Sequence, residues 1–294
     1  MARHTHFLPI VVAIAGLCLF GVMDGAMKAA AIAEGAYAAM FWRGLVGAAL
    51  MLPLWLWRGQ GWPSRAVLRL HLTRSAVAAV MAVLFFYGLV RTPMADAMAL
   101  SFIAPLIALY LAAATLGETI GRRAIVGSTL GLVGVVVIAA GKLAGHAYEP
   151  EAVKGLFAIL GSAVLYAWNL VLQRRQAQLA RPEEIAFFQT AIVFCILGLG
   201  APWLAPLPHP GTWIELVAAA VLSTGSLMLL GWAYARAEAQ VLVPMEYTAF
   251  IWAALVGWVA FHEPLTLRTM AGVVLIVAGC LIAARGTHPL PEPG

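Results

Sequence analysis

The chain has 294 residues, of which 63% are hydrophobic and 11% charged, against about 25% charged in an ordinary soluble domain. A water-soluble globule of this length could not hide so much apolar surface. The net charge of +5 comes without the long basic tract that a nucleic-acid partner would need. One crossing of a membrane takes about 20 mostly apolar residues, so the composition implies an all-α polytopic membrane protein.

MARHTH opens the chain, and the apolar run behind it continues through about residue 29 with no A-x-A exit. It is longer than a signal-peptide core and reads as a retained first span. Polar and Pro/Gly punctuation then sets spans at 8–29, 35–57, 72–90, 95–116 and 124–141. A second set follows at 154–173, 184–204, 213–235, 239–261 and 268–285. Ten transmembrane helices are therefore predicted. Cys18, Cys195 and Cys280 all fall inside apolar runs and read as small packing residues. No Walker-type glycine loop, nucleophile elbow or HExxH occurs, so neither an enzyme nor a cofactor is expected.

Lys and Arg in short loops orient the spans. With the N-terminus inside, the cytoplasmic side receives Arg3, Arg58, Arg65, Arg69, Arg122, Arg123, Arg174, Arg175, Arg181, Arg236 and Arg285. The opposite side receives only Arg91, Lys142, Lys154 and Arg268. Both termini are thus predicted to be cytoplasmic, in a bacterial-type inner membrane.

Two interruptions, LGETIGRR at 116–123 and FHEPLTLR at 261–268, resemble one another. A gapless shift of 145 residues pairs Glu118 with Glu263, Arg91 with Arg236, Gly16 with Gly161, Gly127 with Gly272, Gly134 with Gly279, and Asp24 with Asn169. Residues 1–145 and 146–294 therefore read as two five-span units. Five is odd, so the second unit enters the membrane upside down. Inverted repeats of this kind suit alternating access to a midplane site.

Polar side chains inside spans mark candidate functions. Ser162, Tyr166, Asn169 and Gln173 share one face of the sixth span, and Gly21, Asp24 and Lys28 occupy the matching part of the first. They either line a solute cavity or bond helix to helix, and Lys28 could also snorkel to the surface. Glu246 in PMEYTAF is placed to bind an amine or carry a coupling proton, or else to pair with Arg236. Arg43 in AAMFWRG is assigned a structural role, pairing with Asp24 or snorkelling, over contact with a substrate carboxylate. Glu118 and Glu263 are expected to satisfy amides at the start of the following helix. Trp42, Trp55, Trp57 and Trp203 are assigned to an interfacial belt. Tyr87, Tyr166, Trp168, Trp232, Tyr247 and Phe250 are assigned to the lining of an apolar cavity.

The segments ADAMALSFIAPLIALYLAAATLGETIGRRAIVGSTLGLVGV at 95–135 and AQVLVPMEYTAFIWAALVGWVAFHEPLTLRTMAGVVLIVAGC at 239–280 resemble the drug/metabolite transporter superfamily, EamA-domain type. In that pattern a small-residue-rich span carries a mid-span Pro and ends in Gly-Glu. The second copy departs from it, with His262 in place of the Gly and Pro244 earlier than Pro105. The resemblance implies a carrier of small organic solutes, with spans 1, 3, 4, 6, 8 and 9 around the cavity and 5 and 10 outside. Similar ten-span bacterial members include an aromatic amino-acid exporter. The implied partners are a small-molecule solute and membrane lipid, with a proton as candidate coupling ion, in a monomer or homodimer. A channel would need a continuous polar pore, and this chain's polar residues are sparse and interrupted by bulky aromatics.

Overall fold

The structure is a computed structural model that describes residues 7–57, 62–116, 122–143, 150–177, 179–234, 236, 242 and 245–284. Every regular element named among them is an α-helix. In the first half these are α1 (Phe7–Glu34), α2 (Ala36–Trp57), α3 (Arg65–Arg91), α4 (Met94–Ser101), α5 (Ala104–Leu116) and α6 (Arg122–Leu143). In the second they are α7 (Pro150–Ala177), α8 (Pro182–Gly198), α9 (Ala201–Leu204), α10 (Thr212–Tyr234), α11 (Ala249–Phe261) and α12 (Leu267–Ala284). By length and apolarity α1, α2, α3, α7 and α10 can each cross a membrane. The other five predicted spans appear as shorter or interrupted helices. The protein is an all-α, two-repeat membrane protein.

The helix ends follow local chemistry. Gly35, at φ 86°, turns α1 into α2, a backbone conformation that only glycine adopts cheaply. α3 begins at Arg65 rather than at residue 72 because the Ser64 side chain accepts from the Val67 N–H, an N-cap. The fourth span is not continuous. It breaks at Phe102 and Ile103, just ahead of Pro105, whose ring nitrogen has no hydrogen to give the Ser101 carbonyl. At the end of α11 His262 takes the left-handed conformation, φ 55° and ψ 32°, which explains why the related pattern has glycine there.

The repeats are related by a pseudo-twofold that can be read from the contacts. A Cβ on Gly134 of α6 would lie 2.6 Å from the Gly272 carbonyl oxygen, and one on Gly279 of α12 2.4 Å from that of Gly127. The 145 shift exchanges these two contacts. Rising numbers on one helix meet falling numbers on the other, so α6 and α12 run antiparallel, as inversion requires. Glycine is what allows this approach of two backbones.

The same symmetry governs α1 on α10 and α3 on α7. Gly16 faces Leu229 and Gly161 faces Leu84, again 145 apart. Each crossing carries one hydroxyl-to-carbonyl bond: Ser226 Oγ to Gly16 O at 2.8 Å, and Ser162 Oγ to Met81 O at 2.9 Å. α1 and α11 run parallel, with Gly21 against Trp252 and Gly25 against Val256. We call the side where α1 begins and α12 ends the terminal face, and the opposite side the far face. Trp57 and Trp203 are highly exposed. Trp55, expected at the belt, is instead buried and stacked on Phe187 with ring centroids 4.8 Å apart.

Candidate functional site

The two halves meet at the centre of the bundle. The break in the fourth span, at Phe102 and Ile103, has its counterpart 145 residues on at Tyr247 and Thr248, just before α11. Phe102 and Tyr247 touch each other edge to face, 5.3 Å between centroids and 89° between planes. The pseudo-twofold thus passes between a matched pair of aromatic rings at two interrupted helices. In inverted-repeat carriers such interruptions mark the solute site, because an unwound backbone lines a cavity rather than lipid. Phe250 is buried beside them.

α7 supplies the polar face. Ser162 and Asn169 are buried, while Tyr166 is 36% exposed and lies within electrostatic reach of Arg74 on α3 and Glu246 before α11. Charges from two other elements thus act on its ring. Trp168 points the other way. Two residues beyond Tyr166 is about 200° around a helix, and Trp168, 53% exposed, joins the exposed Phe157 and Val164 on the outer stripe. The 3.6-residue period separates this ring from the polar face of its own helix.

Below Tyr166, toward the terminal face, runs a buried chain of hydrogen bonds. Arg74 Nε donates to Asn169 Oδ1 at 3.1 Å, and Arg74 also donates to Gln176 Oε1. Gln176 Nε2 meets His71 Nδ1 at 2.5 Å, and His71 Nε2 meets Glu184 Oε1 at 3.0 Å. With the amide oxygen of Gln176 taken by Arg74, its NH2 donates to Nδ1. His71 then carries its hydrogen on Nε2 and gives it to Glu184. His71 and Gln176 are fully buried. Sequence reading passed over Arg74, His71 and Gln176, because a third span drawn from residue 72 put the first two at the membrane edge. The signal was there: His71, Arg74 and Ser75 stand at i, i+3 and i+4 in an otherwise apolar run.

Toward the far face the polar groups are charged. Lys28 Nζ donates to the Thr92 carbonyl at 2.9 Å and is ion-paired to Glu263 Oε1. Glu263 Oε2 accepts the Met94 N–H at 2.7 Å. Glu263 therefore caps α4 in the other repeat, not the helix that follows it. Gly257 makes room for the carboxylate, since a Cβ there would stand 2.6 Å from Oε2. Glu118 lies outside the described residues. One turn before Lys28, Asp24 is 3% exposed. The expected Asp24–Arg43 ion pair does not form. Asp24 Oδ2 and Arg43 Nε are buried and without hydrogen-bond partners, although the two charges attract across the gap.

Tyr87 and Trp232 occupy matched places at opposite ends of the bundle. Tyr87 lies under the Arg91 guanidinium at 3.6 Å, and Trp232 under that of Arg236 at 4.2 Å. Each aromatic stacks on the arginine one helical turn along. Arg91 also pairs with Glu151, which in turn pairs with Lys154. The structure gathers Tyr166, Asn169, Glu246, Tyr247 and Phe250 around the centre, sets Asp24 in the far half, and holds Tyr87, Trp168 and Trp232 at the periphery. Among the described residues no three His, Cys, Asp or Glu side chains converge as a metal ion requires.

Comparison with known proteins agrees with this architecture. A solved crystal structure, 21% identical, shares the fold with a TM-score of 0.62 over 94% of this chain and 96% of its own. The pseudopaline exporter of Pseudomonas aeruginosa is 27% identical over 94% of this chain and 95% of that protein. The S-adenosylmethionine uptake transporter of Rickettsia bellii is 26% identical over 82% and 81%. The sequence profile of the EamA-like transporter family matches twice, at residues 7–140 and 153–285, once for each repeat. The chain belongs to the EamA-like transporter family, whose members are transporters and not enzymes.

Proposed function

We propose that this protein is a secondary carrier that exports small amphipathic metabolites, aromatic or other hydrophobic amino acids foremost, by alternating access. The observation that carries the reading is the matched pair of interrupted helices with Phe102 and Tyr247 in contact. Beside it Phe250 is buried, and α7 carries Tyr166 and Asn169 on one face. A flat apolar side chain with a polar head suits such surroundings. Of the relatives, one is named for export and another for uptake, so the outward direction rests on the resemblance to aromatic amino-acid exporters.

In this reading the terminal face is cytoplasmic, both termini included, and the membrane is the bacterial inner membrane. Residues 1–145 and 146–294 are the two moving units. Asn169, Tyr166, Tyr247, Phe250 and Asp24 contact the solute, with Tyr87 and Trp232 framing the path at its two ends. Glu246 carries the coupling proton, and the carrier works as a monomer or homodimer.

The test is flux in proteoliposomes of labelled phenylalanine and tryptophan, with and without a pH gradient, beside an Asn169→Ala variant. Saturable flux that the variant loses supports the carrier and its site. Movement of another solute, with aromatic amino acids immobile, rejects the substrate. Insensitivity of the flux to the gradient rejects the proton.

A further inference from the structure

The far half of the bundle holds two opposite charges that are close but unjoined. Asp24 is on α1 and Arg43 on α2, and these helices are linked by Gly35 alone. Counting from that turn at 1.5 Å per residue puts Asp24 about 15 Å and Arg43 about 10 Å below it. Both are well inside an apolar bundle, where an unpaired charge is costly. A purely structural pair would close on itself. Here it does not: Asp24 Oδ2 and Arg43 Nε are each inaccessible and without a partner.

Neighbours do not discharge the pair. Lys28, one turn along from Asp24 and the natural helical partner for it, is committed to Glu263 and the Thr92 carbonyl. Arg43 makes a weak contact within its own helix, Nη2 to Met40 Sδ at 3.8 Å. A third orphan lies deeper along the first helix. Trp252 Nε1 is buried and unpartnered, and its side chain packs on Gly21, just under one turn from Asp24. One acceptor and two donors, all dry and all unmatched, are thus set around the first helix beneath the Lys28–Glu263 closure. Buried polar groups are ordinarily satisfied, so three orphans together point to a missing partner with its own donors and acceptors.

We propose that Asp24 and Arg43 form a two-point clamp for a zwitterionic head group, Asp24 accepting from its ammonium and Arg43 donating to its carboxylate. The clamp rests on the carrier reading and narrows it, from amphipathic solutes to those bearing both charges. A guanidinium fork matches a carboxylate geometrically. A zwitterion brings no net charge into the membrane, and it satisfies in one step what the free site leaves open. Solutes with only one of the two groups leave the other charge stranded, which is how a site of this kind rejects them.

The experiment is counterflow of labelled tryptophan in proteoliposomes, with tryptamine (ammonium only) and indole-3-propionate (carboxylate only) as competitors. Ligand-induced thermal stabilisation of the detergent-solubilised protein runs in parallel. Wild type is expected to prefer tryptophan to either fragment by at least tenfold in both assays. Arg43→Gln should raise the tryptophan KM at least tenfold and make tryptamine the better competitor, while Asp24→Asn should raise it similarly and favour indole-3-propionate. If either variant fails to fold, the other still shows its own half of the reversal. Tryptophan transported with unchanged KM and fragment ranking in both variants overturns the clamp and leaves the carrier intact. Wild type that takes a fragment as well as the amino acid also overturns the clamp alone. Absence of transport and of stabilisation by any of the three overturns the substrate proposal together with the clamp.

Discussion

Replacing Glu263 with glutamine should open the far face. The carboxylate holds Lys28 on one oxygen and caps the Met94 N–H on the other, so it ties α1 and the start of α4 to the end of α11. The glutamine keeps the shape and a neutral acceptor for Met94, but it takes the Glu263 carboxylate away from Lys28, which is 3% exposed. Removing one partner of a buried pair costs about 3–5 kcal/mol. At about 1.4 kcal/mol per tenfold, the balance between closed and open far face moves by roughly 100- to 1000-fold or more. The reporter is a cysteine at Ala95, a buried residue lining the shallow indentation that Glu263 shares with Pro93, Gly257 and Leu265. It is placed in a background in which Cys18, Cys195 and Cys280 are replaced by alanine. Labelling by a membrane-impermeant maleimide from the far side should accelerate at least tenfold in Glu263→Gln. Adding Lys28→Met should reverse most of the gain, because the ammonium that Glu263 had faced is then gone. Equal labelling in parent and Glu263→Gln, or no reversal by Lys28→Met, refutes the reasoning.

Four further outcomes follow from packing and buried hydrogen bonds. Gly279→Leu drives a side chain into the Gly127 carbonyl at 2.4 Å and the Gly131 nitrogen at 2.9 Å, so it should lower the thermal midpoint as overpacking of about 1–3 kcal/mol does. Gly225→Ala, where a Cβ would meet only Leu19 Cδ1 at 3.6 Å, should leave that midpoint within error. Gln176→Leu leaves His71 Nδ1 and Arg74 Nη1 unmatched in a dry site, a loss of about 1–3 kcal/mol for an orphaned group. In denaturant titration it should unfold earlier than Gln173→Leu on the exposed side of the same helix. Ser162→Ala and Ser226→Ala each remove one buried hydroxyl-to-carbonyl bond at symmetry-matched crossings. Each should cost about 1 kcal/mol, and the double variant should show the sum, since the two sites share no partner.

The two-repeat plan was legible in the chain because inversion leaves a linear trace. Glycines and charges in an apolar background are rare enough that Gly134 with Gly279, or Glu118 with Glu263, hold a register even where the intervening sequence has drifted. Helical periodicity likewise assigns Tyr166 and Asn169 to one face, and the same arithmetic sets Trp168, assigned to the cavity lining, on the other. Periodicity fixes the face a residue presents and says nothing about what that face meets. Glu263 was read as a local fastener, yet it serves an amide 169 residues away and an ammonium 235 residues away. Tyr87 and Trp232 match in register, and each stacks on an arginine four residues further along the chain, a contact that the register alone does not reveal. His71, Arg74 and Gln176 were overlooked because their meaning lies in one another, across α3 and α7. Asp24 and Arg43 were expected to pair, and packing keeps them apart. In an apolar solvent the sequence determines which segments are helices and how they are repeated, since backbone hydrogen bonds have nowhere else to go. The tertiary structure alone decides which buried polar groups are satisfied, because each partner must arrive from a distant part of the chain at hydrogen-bond distance.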